Sequence, residues 1–167
     1  MTTFIDILKR TDIFYDLTPT QLDRVSALCQ ERTGQAGEFI FEENSAGDEL
    51  YIIVRGEVEI LVDPSMVSTP GARRTLSPVM IATLRDGQIF GEVALVDQGL
   101  RSASARCMAD NMRLLIIPRA KLLALCETDP ELGYRIMRNV AADLAFKIRN
   151  SDLAIREQLL WRPRQAV

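Results

Sequence analysis

DGQIFGEVALVDQGLRSASAR, residues 86–106, is the stretch around which the rest of the chain is organised. It holds Phe90-Gly91-Glu92 and, nine positions past the glutamate, Arg101-Ser102-Ala103-Ser104. Its chemistry is one carboxylate, one guanidinium, a hydroxyl beside the guanidinium, and a glycine that lets backbone approach closely. Glu92 to Val96 can turn once as a helix, and a helix start offers unpartnered N–H groups and partial positive charge to an anion. Arg101 can add a forked, permanently charged donor to the same anion. Glu92 would repel that anion but can accept a hydrogen bond from a neighbouring hydroxyl. The ligand this pattern implies carries a phosphate on one side and a sugar-like hydroxyl on the other. The plainer alternative is an ordinary surface ion pair between Glu92 and Arg101, which would contribute little.

The stretch FGEVALVDQGLRSASAR resembles the phosphate-binding cassette of the cyclic nucleotide-binding domain family, which includes the bacterial catabolite activator protein and the regulatory subunits of cyclic-AMP-dependent protein kinase. The family pattern is F-G-E-aliphatic-A-L, a variable loop, then R-small-A-S/T. It is met at Phe90, Gly91, Glu92, Val93, Ala94, Leu95, Arg101, Ser102, Ala103 and Ser104. The stretches Gly37 to Phe41, Leu50 to Val58 and Leu84 to Gly87 also look like the family's β-roll, so the resemblance covers roughly residues 4–150. One departure is Glu43-Asn44, where many members have a glycine and an acidic residue; it bears on the local turn and not on binding.

By this resemblance, Arg101 holds a cyclic phosphate, Ser102 adds a hydroxyl and an N–H, and Glu92 takes the ribose 2′-hydroxyl. Gly91, Val93, Ala94 and Ala103 supply backbone and close contacts. Ile60 and Ile81 lie on strands that flank the base in the family, although core packing accounts for them equally well. Cyclic AMP is favoured over cyclic GMP because no second feature besides Ser102 speaks for guanine. Phe146, Ile148, Arg149 and Trp161 are the candidates for covering the base.

Composition sets the outer bounds. The 167 residues are 47% hydrophobic and 26% charged, which suits one domain with a real core. The longest apolar runs, such as Leu114 to Ile117, are far too short to span a bilayer. Asp6 interrupts the first apolar residues, so a secretory leader is not expected. Cys29, Cys107 and Cys126 are an odd set without metal-type spacing, as expected of reduced core thiols in the cytoplasm. There is no histidine, which removes the commonest metal ligand and general base. A net charge of −3 argues against nucleic-acid binding by the chain as a whole.

The chain in order predicts an α+β fold, mainly β: an antiparallel β-roll or jelly roll with N-terminal helices, a short cassette helix and C-terminal helices. It reads as one domain over residues 1–167. Helices occupy 1–35, the β-roll 36–117 with its cassette at 90–104, further helices 118–160, and a tail 161–167. A short helix through Phe4, Ile7 and Leu8 is followed by a second, started by Thr18-Pro19-Thr20-Gln21 and expected to end near Glu31–Gly34. From Gly37 the pattern alternates as strands do, broken by turn residues such as Asn44 to Asp48. Asp63 to Pro78 reads as a polar loop, in which Arg73 and Arg74 are a solvated tip, guards of a pocket or a docking point for a partner, the solvated tip being favoured. Asp129-Pro130-Glu131 opens a long helix. Met137, Ala141, Leu144, Ile148, Ser151 and Ile155 follow coiled-coil-like spacing along it, and Asp143 and Lys147 read as part of its solvated face.

Three functions compete at this point. The first is a stand-alone, non-catalytic cyclic nucleotide sensor that signals through its last helix, forms a homodimer along it, and acts on a downstream protein. The second is a structural or interaction module with a vestigial pocket. The third is an enzyme on a cupin-like roll, which the missing histidines and the absence of a paired nucleophile and base disfavour. Only seven residues follow Leu160, so a DNA-reading helix-turn-helix is not expected within this chain.

Overall fold

The computed structural model describes residues 3–67, 77–97 and 99–161. Arg73, Arg74 and residues 162–167 therefore lie outside the described residues, as does the side chain of Trp161. Eight strands are present among the described residues: β1 (Gln30–Gly34), β2 (Phe39–Phe41), β3 (Glu49–Arg55), β4 (Val58–Val62), β5 (Val79–Leu84), β6 (Ile89–Phe90), β7 (Ser104–Cys107) and β8 (Met112–Pro118). Five helices accompany them: α1 (Phe4–Leu8), α2 (Pro19–Ser26), α3 (Glu92–Asp97), α4 (Arg119–Thr128) and α5 (Pro130–Trp161).

The strands form two antiparallel four-stranded sheets, ordered β1-β8-β3-β6 and β2-β7-β4-β5. Leu50 faces Ile117 and Ile52 faces Leu115 across β3 and β8, while Val58 faces Cys107 across β4 and β7. The space between the sheets is filled by Ile40, Tyr51, Ile53, Val58, Phe90, Ala105, Leu114 and Ile116. The alternate residues of β3 and β8, Leu50, Ile52, Leu115 and Ile117, pack on the other side against Leu8, Phe14, Leu22, Leu122, Leu132 and Ile136 of the helical layer. Both faces of the first sheet are thus buried. That is why Leu50 to Val54 and Leu114 to Ile117 are unbroken apolar runs instead of alternating ones. The second sheet exposes one face, and there Glu59 pairs with Arg106 across β4 and β7 at 2.6 Å.

The helix starts follow the sequence closely. Thr18 Oγ1 accepts from Gln21 N at 3.3 Å and Thr18 N donates to Gln21 Oε1 at 3.0 Å, closing a reciprocal cap with Pro19 in the first turn. Asp129 Oδ1 accepts from Leu132 N at 3.1 Å at the start of α5. Two details differ from the sequence reading. The second helix stops at Ser26, and residues 30–34 pair with β8 as an edge strand instead of continuing the helix. Ile81 is the extra residue of a β-bulge, since Ile60 pairs with Ala82 and Leu61 with Met80. The turn at Asn44 closes without a glycine because asparagine tolerates the left-handed φ of +64° found there.

Candidate functional site

β6 delivers the chain to Gly91, whose φ is +83°. A Cβ there would lie 2.6 Å from Arg101 Nη1 and 2.9 Å from the Glu49 carbonyl oxygen, so only glycine fits. α3 then begins at Glu92, and residues 99–103 lead the chain into β7. This return is stitched to the turn after β2: Asn44 N donates to Arg101 O at 2.8 Å and Arg101 N donates to Ser45 O at 2.9 Å. At Gly47, an added Cβ would lie 2.2 Å from Ala94 Cβ and 3.6 Å from Arg101 Cζ. Two glycines on different segments therefore let α3 and the Arg101 loop close on each other.

Arg101 is only 4% exposed. Its Nη1 donates to Gly91 O at 3.2 Å and its Nη2 to Glu49 O at 2.8 Å. Cζ stands 4.2 Å above the Phe41 ring centroid, on an aromatic floor of Phe41, Tyr51 and Phe90 whose centroids are 4.9–5.8 Å apart. The Tyr51 hydroxyl donates in turn to Glu49 Oε2. Arg101 makes no ion pair among the described residues, and its buried Nε has no hydrogen-bond partner there. Desolvation lowers the guanidinium's pKa, partly offset by the field of Tyr51, Glu49, Asp48 and Glu92, yet the group keeps its charge. It is a buried cation satisfied by dipoles and a π-face, with electrostatic capacity left for an anion.

Glu92 is also buried, at 5% exposure. Its partner is not Arg101. Lys147 of α5 donates to Glu92 Oε1 at 2.9 Å and to Ile89 O at 3.1 Å, and lies 2.8 Å from Asp143 Oδ2. This corrects the reading of Asp143 and Lys147 as part of a solvated face: both turn toward the roll. The plain surface ion pair between Glu92 and Arg101 is likewise not what forms.

The remaining candidates fall into two groups. Glu92, Ala94 and Arg101 are buried and Gly91 half-buried; Val93 and Ala103 are half-buried, and Ser102 is exposed next to Arg101. Ile60 and Ile81 belong to the other sheet. Ile60 packs against the core between the sheets, whereas Ile81 is 59% exposed, so core packing accounts for the first and not for the second. Phe146, Ile148 and Arg149 are all exposed on α5. Leu95 of α3 belongs to the same apolar cluster as Leu132 and Ile136 of α5.

Sequence reasoning missed Lys147. The signal was present: Leu132, Ile136 and Val140 step by four along the buried face of α5, and Asp143 and Lys147 continue that stripe. Phe41 and Tyr51 read from sequence as strand residues only; nothing in their spacing marks them as the floor under an arginine.

With this geometry in hand, comparison with known proteins is specific. A family model for the cyclic nucleotide-binding domain matches residues 31–129. A cyclic AMP receptor protein of Thermus thermophilus is 33% identical over 89% of this chain and 62% of its own length. An isozyme 2 form of the cGMP-dependent protein kinase of Drosophila melanogaster is 30% identical over 79% of this chain and 13% of its own length. In fold, the chain is similar to a cyclic nucleotide-binding domain of Methylobacillus flagellatus, with a TM-score of 0.76 and 22% identity, covering 93% of this chain and 82% of that one. The chain thus spans less than two thirds of the Thermus protein and about an eighth of the Drosophila kinase.

Proposed function

The chain belongs to the cyclic nucleotide-binding domain family, and from that premise we propose that it is a non-catalytic sensor that binds a 3′,5′-cyclic nucleotide, cyclic AMP in preference to cyclic GMP, in the cytoplasm. The observation that carries the reading is Arg101: a guanidinium 4% exposed and without a carboxylate partner among the described residues. A buried cation held only by carbonyls and rings favours an incoming anion. Gly91, Val93, Ala94 and Ala103 give the phosphate close approach, Ser102 adds a hydroxyl beside it, and Glu92 accepts from the ribose. Ile60 and Ile81 contact the base. The free thiols at Cys29, Cys107 and Cys126 support a reducing compartment.

Glu92→Gln tests the ribose role. It keeps the shape and removes the charge-assisted acceptor, so cyclic AMP affinity falls by about 1–3 kcal/mol. The loss shrinks greatly for 2′-deoxy cyclic AMP, which has no hydroxyl to miss. Equal losses for the two ligands remove Glu92 from the sugar.

Output runs through α5. Ile148, Leu153, Ile155, Leu159 and Leu160 are each more than half exposed on its distal part. A second copy covering the face that Ile148, Ile155 and Leu159 share, as a homodimer, is the arrangement proposed, since a helix of this length needs an apolar partner. The wild type sediments as a dimer at tens of micromolar, and Ile148→Glu/Ile155→Glu as a monomer. A monomeric wild type ends that part of the account.

A further inference from the structure

Lys147 joins α5 to the segment around Gly91 through polar contacts. The Lys147 ammonium donates to two acceptors, Ile89 O at 3.1 Å and Glu92 Oε1 at 2.9 Å, and is ion-paired with Asp143 Oδ2 at 2.8 Å without a hydrogen bond between them. The two acceptors flank Gly91, so one side chain spans both sides of the entry to α3. Asp143 lies one turn back on its own helix and aims the lysine from there.

For Glu92 the contact matters more than for the lysine. Glu92 has a side-chain exposure of 6%, and Lys147 is the one cation paired with it among the described residues. A charge this buried is costly unless paired, and the lysine both offsets it and fixes where Oε1 sits. Only Oε1 is engaged; no donor bonds Oε2 among the described residues.

We propose that Lys147 is a positioning residue of the nucleotide site: it fixes Glu92 through Oε1, leaves Oε2 to accept the ribose 2′-hydroxyl, and so makes α5 a component of ribose recognition. The proposal rests on the cyclic nucleotide reading of the site. Linkage follows from it. If seating α5 orients Glu92 for the sugar, then the sugar on Glu92 favours the seated helix by the same factor. The ribose hydroxyl, and not the phosphate alone, is then the feature of the ligand that α5 reports.

The test uses the full chain and Lys147→Met, which keeps the aliphatic stem and removes the charge. Titration calorimetry with cyclic AMP and 2′-deoxy cyclic AMP reads the binding. Lys147 is partly exposed, so screening tempers the effect, and cyclic AMP affinity falls about 3- to 10-fold. Affinity for the 2′-deoxy ligand changes less than about twofold, so discrimination between the two ligands narrows. A purely structural lysine would weaken both equally, and that result overturns the proposal. Tighter cyclic AMP binding in Lys147→Met overturns it too, since it would make the lysine a competitor of the ribose. Hydrogen exchange without nucleotide separates this inference from the function it rests on. Faster exchange at residues 89–95 in Lys147→Met is expected whether or not a nucleotide binds. Unchanged exchange there overturns the positioning role even if the wild type binds cyclic AMP. No binding to the wild type overturns the cyclic nucleotide reading and the ribose role with it.

Discussion

Arg101→Ala weakens cyclic AMP binding by roughly 30-fold to several-thousand-fold, the range of about 2–5 kcal/mol for truncating one partner of a buried charge pair. The native arginine is desolvated on an aromatic floor, so on the proposed reading a phosphate would meet a charge that water has already left. Removing it leaves the phosphate with neutral donors alone. The same geometry predicts an unusual control. Because the guanidinium makes no ion pair among the described residues, its loss removes two hydrogen bonds to carbonyls but also a desolvated cation. The variant therefore melts within a few degrees of wild type while binding collapses. Arg101→Lys restores only part of the affinity, since a point charge cannot reproduce the fork. Calorimetry and thermal unfolding on the three proteins check this. An alanine variant that folds normally and binds within a few-fold of wild type removes Arg101 from the site.

Gly91→Ala destabilises the fold itself, by about 2–5 kcal/mol. The left-handed backbone at φ +83° contributes about 1–2 kcal/mol of that for a residue with a Cβ. Crowding contributes about 1–3 kcal/mol more. The Arg101 end of the clash can yield by moving the guanidinium, but the Glu49 carbonyl at 2.9 Å belongs to a central strand of the sheet and cannot. Nucleotide affinity falls as well, because the arginine is what gives way. Gly87→Ala is the matched control: its φ is +84°, yet nothing lies within 4 Å of the added Cβ. It pays the conformational term alone, about 1–2 kcal/mol. Equal stability losses in the two variants, measured by denaturant unfolding, contradict the close packing of Gly91 on Arg101 and Glu49.

What the sequence made legible follows from how local each signal is. The close packing of Gly91 on Arg101 could be read because close backbone approach demands a glycine, and the two residues belong to one short ordered set. The starts of α2 and α5 could be read because caps act within four residues, at Thr18-Gln21 and Asp129-Leu132. β1 could not. Gln30, Glu31, Arg32 and Thr33 carry no apolar alternation, and only pairing with β8 makes them a strand. The partner of Glu92 was hidden for a related reason. Asp143 and Lys147 satisfy the pattern of a solvated helix and of an inward pair equally well when only their spacing is known. The register set by Leu132, Ile136 and Val140 decides between them. The role of Phe41 under Arg101 depends on two sheets coming together, which no local pattern carries.

The most direct measurement is titration of the full chain with cyclic AMP and cyclic GMP in a calorimeter, with the nucleotide recovered and assayed afterwards. The account predicts saturable binding of one cyclic AMP per chain, weaker binding of cyclic GMP, and nucleotide recovered unchanged. Absence of binding to either nucleotide, in a protein shown to be folded, would contradict it.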